Sequence, residues 1–149
     1  MAALDDDRTW TTPDAARASG TSYRRLDYWS RLGILKASHG EARGSGSSRR
    51  WSTTDVFIAA VLGHLSDGRP LEQLGNVVAV LRAADAGAWD GWLVLEPDGS
   101  ARLVATLPLL RTMTASFTLV DLQRVYLDVA RRVTPRDVGT GSRPEWIGS

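Results

Sequence analysis

Between residues 12 and 84 the apolar positions recur at helical intervals in four blocks, with turn-forming residues between them. The first block, Pro13–Ala18, is short. Thr12 stands as its N-cap, Pro13 and Asp14 suit a first turn, and Gly20 fits the left-handed position that closes a helix. The second helix begins at Thr21 or Ser22. Leu26, Trp29 and Leu32 are spaced by three and predict one buried stripe, while Arg24, Asp27, Tyr28 and Arg31 fall on a separate outward face. Gly33 closes it. A third helix is predicted over about 53–66, capped by Ser52 or Thr53 with Asp55 near its start, and with Val56, Phe57, Ala60, Val61 and Leu65 at helical spacing. "DGRP" breaks it, and a fourth helix runs from Leu71 to about residue 84 with Leu74, Val77, Val78 and Leu81 on one side.

Two helices joined by a glycine-containing turn form the skeleton of a helix-turn-helix. After the second helix, "ILKAS" and "RRWS" predict two short strands around the glycine- and serine-rich tip "HGEARGSGSS", a wing whose Ile34, Leu35 and Trp51 face the helices. Beyond residue 85 the period changes. "WLVLEPDGSARLVATL" predicts a hairpin, with Pro97 preset for a turn and Gly99 free to take a positive φ. Thr118 is expected to cap a last helix. Leu119, Leu122, Tyr126, Val129 and Val133, spaced 3, 4, 3, 4, form its apolar stripe. The stripe is a candidate dimerisation seam, and it can equally pack on the 92–106 hairpin. The expected division is a flexible tail at 1–9, a domain over 10–84, a small α+β unit over 85–133 and a disordered tail over 134–149. The fold class is mainly α with small β.

Charge sharpens this division. Between residues 8 and 51 nine arginines or lysines stand against three acids, and between 52 and 130 five arginines stand against nine acids. A basic third joined to a mildly acidic remainder suggests that one face meets a polyanion. The chain has no cysteine and two distant histidines, His39 and His64, so thiolate chemistry and a histidine-rich metal site are excluded. No apolar run approaches the length of a membrane span, and the acidic start lacks the apolar stretch of a secretory signal. No glycine-rich phosphate loop follows a strand and no paired carboxylates converge, so the expectation is a protein without catalysis, cofactor or membrane partner in a reducing cytoplasm. Trp89 and Trp92 have no convergent polar set beside them to make a ligand pocket.

Over residues 11–82 the chain resembles the N-terminal domain of MerR-type winged-helix transcriptional regulators, in an actinobacterial-like branch. The likeness is carried by Ser22, Arg24, Leu26, Tyr28-Trp29 and Gly33-Ile34-Leu35, then by Ser48-Arg49-Arg50-Trp51, Ser52 and Asp55, and by "LEQL" in the fourth helix. The chain departs from the pattern at Asp27, where most members carry arginine, at Ser48, and in lacking the long coiled coil and cysteine ligands of typical members.

The resemblance implies double-stranded DNA as partner, with a homodimer on a palindromic operator and RNA polymerase as a further partner. An α-helix fits the major groove. Arg24 is the candidate reader of a base edge, with Ser22 and Tyr28 on nearby phosphates and Arg25 and Arg31 flanking the groove. Arg43, Arg49 and Arg50 would reach the minor groove or backbone from the wing. Asp27 would orient Arg24 or Arg31. The same residues suit two other readings: an architectural DNA-bending excision factor of a phage or mobile element, and a protein-interaction module with an acidic partner.

Overall fold

A computed structural model describes residues 8–40, 49–84, 89–106 and 116–133. The chain runs through β1 (Thr9–Trp10), α1 (Thr12–Ser19), α2 (Tyr23–Arg31), β2 (Trp51–Ser52), α3 (Thr53–Leu65), α4 (Leu71–Ala83), β3 (Trp92–Leu95), β4 (Ala101–Val104), β5 (Thr118–Asp121) and α5 (Leu122–Arg132). Local chemistry sets most helix starts. Ser22 caps α2 by accepting from the Arg25 N–H at 3.1 Å, and Ser52 and Asp55 form a reciprocal capping box on α3. Thr11 rather than Thr12 caps α1, accepting from the Asp14 N–H at 3.3 Å. Thr12 lies inside the first turn, where its hydroxyl accepts from the Trp51 indole N–H at 3.0 Å.

Gly20 and Gly33, both at positive φ, end α1 and α2 with paired backbone hydrogen bonds: Thr21 N–H to Ala16 O at 3.1 Å, and Ile34 N–H to Trp29 O at 2.9 Å. This closure corrects the predicted stripe of α2. Leu26 and Trp29 are buried, but the helix has ended by Leu32, which is 49% exposed, and the turn delivers Leu35 to the core in its place.

The two-stranded sheet also differs from expectation. Trp51 pairs with Trp10 and Ser52 with Thr9, so β2 partners the segment before α1 rather than "ILKAS". Residues 8–10 are therefore part of the fold, and Arg8 stacks over the Trp10 ring at 3.9 Å. Among the described residues the two arms of the expected wing meet at one antiparallel bridge, His39 to Arg50. The tip, with Arg43, lies outside them.

The hairpin forms as predicted. Glu96 and Ser100 close a turn in which Gly99 adopts a φ of 92°. Asn76 of α4 donates to Gly99 O at 2.9 Å and docks that turn on the helix. The sheet order is β4-β3-β5, antiparallel throughout. The third strand corrects the prediction: Thr118–Asp121 pairs with β3, and Asp121, not Thr118, caps α5 by accepting from the Arg124 N–H at 3.2 Å. Leu119 is thus a strand residue. Gly91 precedes β3 where a β-carbon would fall 2.2 Å from Val104 O, a gap that only glycine fits.

The expected division at residue 85 does not divide the core. One apolar cluster takes in α1, α2, α3, α4, β3 and α5, and Trp89 stacks on Phe57 with ring centroids 4.5 Å apart. α5 lies against α1 and α3, with Leu122, Val125 and Val129 buried. Of the expected seam, Leu122 and Val129 are fully buried in the chain's own core, and Tyr126 and Val133 pack half-buried against it.

Asp55 joins three parts of this arrangement. Its fully buried carboxylate accepts from the Ser52 N–H at 2.9 Å, the Ser38 N–H at 2.8 Å, the Ser38 hydroxyl at 2.7 Å and the Arg82 guanidinium at 2.8 Å. Removing it strands buried donors, so Asp55→Ala is expected to lower stability by about 3 kcal/mol. Denaturant unfolding checks this; a loss below about 1 kcal/mol would show that Asp55 does not hold these elements together.

Candidate nucleic-acid interface

α2 is fastened through Leu26 and Trp29 and turns the rest of its surface outward. Of its three arginines, two have a carboxylate partner. Arg25 reaches Asp67, beyond the end of α3, at 3.3 Å, and Arg31 pairs with Asp27 one turn back at 2.9 Å. Arg24 is exposed and has no carboxylate partner among the described residues. Tyr28, one turn further on, is 50% exposed. The i, i+4 spacing puts it on the face of Arg24, and Leu32 continues that face beyond the helix end. Ser22 is exposed, with its hydroxyl already engaged in capping.

The arginines after the tip divide sharply. Arg50 is exposed, its backbone held by the reciprocal bonds to His39 at 3.0 and 2.7 Å. Arg49 is only 4% exposed, and its guanidinium donates to Asp27 at 2.5 Å. This corrects the expectation for Arg49. The alternation of an extended segment sends consecutive side chains to opposite sides, so one arginine faces solvent and the other turns inward. Asp27, whose role the sequence left open between Arg24 and Arg31, thus receives Arg31 and Arg49 and ties the outward helix to the chain returning from the tip. The hydrogen bond from Arg49, against some opposing desolvation and with help from the Arg31 charge, holds the Asp27 carboxyl below the ordinary aspartate range. The sequence signal was present in the acid that interrupts a basic face. Its partner, 22 residues away, was not legible.

A cleft of about 280 Å³ lies where the end of α3 meets β5 and α5, lined in part by His64, Asp121 and Arg124. Trp89 and Trp92 do not line it; Trp89 is a core residue. No helix among the described residues is long and apolar enough to cross a membrane.

This chain is similar to proteins named as uncharacterized HTH-type transcriptional regulators in Mycobacterium bovis and in two strains of Mycobacterium tuberculosis. Each is 38% identical over 55 residues, which is 37% of this chain and 24% of the relative. The match thus spans about a quarter of the length of these curated relatives. No protein-family model matches the chain. The likeness supports a helix-turn-helix regulator, and the MerR assignment is carried by the motifs alone.

Two outcomes follow from the Asp27–Arg49 pair. Arg49→Ala removes a buried, paired cation and is expected to cost about 3 kcal/mol of stability, whereas Arg50→Ala stays within about 0.5 kcal/mol. Because folding lowers the Asp27 pKa, its stabilisation is fully present above the ordinary aspartate range and is lost as pH falls through the lowered value. Wild type should therefore exceed Asp27→Asn in unfolding stability near neutrality, and the gap should close in acid. A gap that stays constant between about pH 3 and pH 7 would remove the carboxylate from this role.

Proposed function

We propose that this chain is a MerR-type transcriptional regulator with a winged helix-turn-helix that binds double-stranded DNA sequence-specifically. α2 enters the major groove, and the segment from His39 to Arg50 lies against the minor groove or backbone. The observation that carries this reading is the sorting of charge on α2. Arg25 and Arg31 each reach a carboxylate of the fold, while Arg24 stands exposed beside Tyr28 on a helix anchored by two buried residues. A guanidinium carried on an anchored, groove-sized helix suits the bidentate acceptors of guanine. Tyr28 and Ser22 suit phosphates, and Arg50 supplies a contact to the backbone. The names of the mycobacterial relatives agree with regulation of transcription.

The regulator acts as a homodimer on a palindromic operator, since one such module buries only roughly 600–1,000 Å² against DNA and binds weakly alone. With Leu122 and Val129 committed to the protomer core, the pairing surface lies outside the buried stripe of α5. RNA polymerase is the further partner through which such a regulator acts. The reading assigns no catalytic step and needs no cofactor.

Selection of bound fragments from random duplex DNA, followed by gel shifts on the enriched site, tests the proposal. Arg24→Ala is expected to cost about 1–3 kcal/mol and to relax preference at one base pair, while Arg50→Ala weakens binding to all sequences equally. With about six phosphates neutralised per dimer, log affinity falls against log salt with a slope near −5. Unchanged base preference in Arg24→Ala would overturn the recognition role. Strong bending without base preference would move the protein to the architectural class, and a blank gel shift at low salt would end every DNA reading.

A further inference from the structure

α5 lies far from the helix-turn-helix in sequence, yet its last residue touches the turn of that motif. The Arg132 guanidinium covers Gly20, so closely that a β-carbon built there would fall 2.9 Å from its central carbon. Its Nη1 donates to Ala18 O at 3.5 Å, the long limit of a hydrogen bond. Arg132 is exposed and has no carboxylate partner among the described residues, whereas its neighbour Arg131 lies 4.0 Å from Asp128. Two features fix its position. Val129, one turn earlier, is buried, and Arg8 donates to Val133 O at 2.9 Å, tying the end of α5 to the strand before α1.

We infer that Arg132 is a DNA-contacting residue that the C-terminal helix supplies to the helix-turn-helix, gripping a backbone phosphate beside the α1–α2 turn. The inference rests on the DNA reading above. When α2 occupies the major groove, its first turn, with Arg24, meets base edges, and the preceding turn borders the flanking phosphates. Gly20 lies two residues before the Ser22 cap, so a guanidinium seated on it stands at that border. A guanidinium has five N–H donors, and one long bond to a carbonyl leaves the others for phosphate oxygens. The alternative is a purely structural role, in which Arg132 caps the C-terminal end of α1.

The test measures affinity for short duplex DNA across a salt series for wild type, Arg132→Gln, Arg132→Lys and Arg102→Gln, the last a charge removal on the distant hairpin, with melting temperatures alongside. Arg132→Gln should weaken binding to selected and random duplexes by the same factor, roughly three- to tenfold, and make the salt slope shallower by about 0.9 per site. Arg132→Lys should restore most of the slope, and Arg102→Gln should leave it unchanged. In the wild type, the Arg132 side-chain Nε–H resonance should shift as duplex is added. A wild type that binds DNA while Arg132→Gln keeps its slope, or while the wild-type resonance stays put, overturns the Arg132 assignment and leaves the DNA reading standing. A wild type that binds no duplex overturns both.

Discussion

The buried carboxylate of Asp55 is the interaction on which the rest of the structure depends. It closes the capping box of α3, the helix at the centre of the core, and so fixes where that helix begins. The same two oxygens hold Ser38, in the arm that follows α2, and Arg82 in the last turn of α4. Arg82 also donates to Lys36 O at 3.0 Å, so the arm is gripped at two points. A carboxylate with no access to water persists only when its lone pairs are met by donors, and each donor here belongs to an element that must be placed correctly. The polar network therefore supplies register, which apolar packing around Phe57 and Trp51 would leave loosely defined.

A second carboxylate, Asp27, does the same for the outward helix. An acid on a basic surface lowers the field that attracts phosphate, which would be a poor choice if every arginine there were meant for DNA. It makes sense once the arginines are sorted by partner. Arg49 and Arg31 answer Asp27 and Arg25 answers Asp67, while Arg24 and Arg50 are exposed with no carboxylate partner among the described residues. Under the DNA reading proposed above, such a division favours specificity, because cations spent inside the fold add no attraction that is the same for every sequence.

What the sequence disclosed and what it hid divide along the range of the interactions. Several helix ends were legible because caps and left-handed glycines act within four residues: Ser22, Ser52, Gly20 and Gly33 perform as their local pattern demands, whereas Thr11 and Asp121 take the caps expected of Thr12 and Thr118. The hairpin turn at Pro97–Gly99 was legible for the same reason. Pairings across the chain were not. Thr9 looked like the end of a tail because the partner of Thr9–Trp10 is Trp51–Ser52, and Thr118–Asp121 looked like a helix start because nothing nearby announces β3 as its neighbour. Leu32 misled because periodicity extrapolates a helix past the glycine that ends it. Arg49 misled because a run of two arginines carries no mark of which one turns inward. The predicted site residues accordingly fare unequally in geometry. Arg24, Tyr28 and Arg50 are exposed, Arg25 and Arg31 are paired, and Arg49 is a structural residue.

The merging of the two expected domains changes how the C-terminal elements can act. A separate dimerisation unit would influence DNA binding only through the distance and angle between two modules. Here α5 is packed on α1 and α3 through Leu122, Val125 and Val129, and its far end touches the α1–α2 turn. Its near end borders the cleft containing His64 and Arg124. Close-packed interiors transmit strain along rigid elements, and α5 is the element that runs from the cleft to the Arg132–Gly20 contact. The apolar stripe that looked like a seam between two copies of the chain thereby joins the sheet to the α1–α2 turn within one chain.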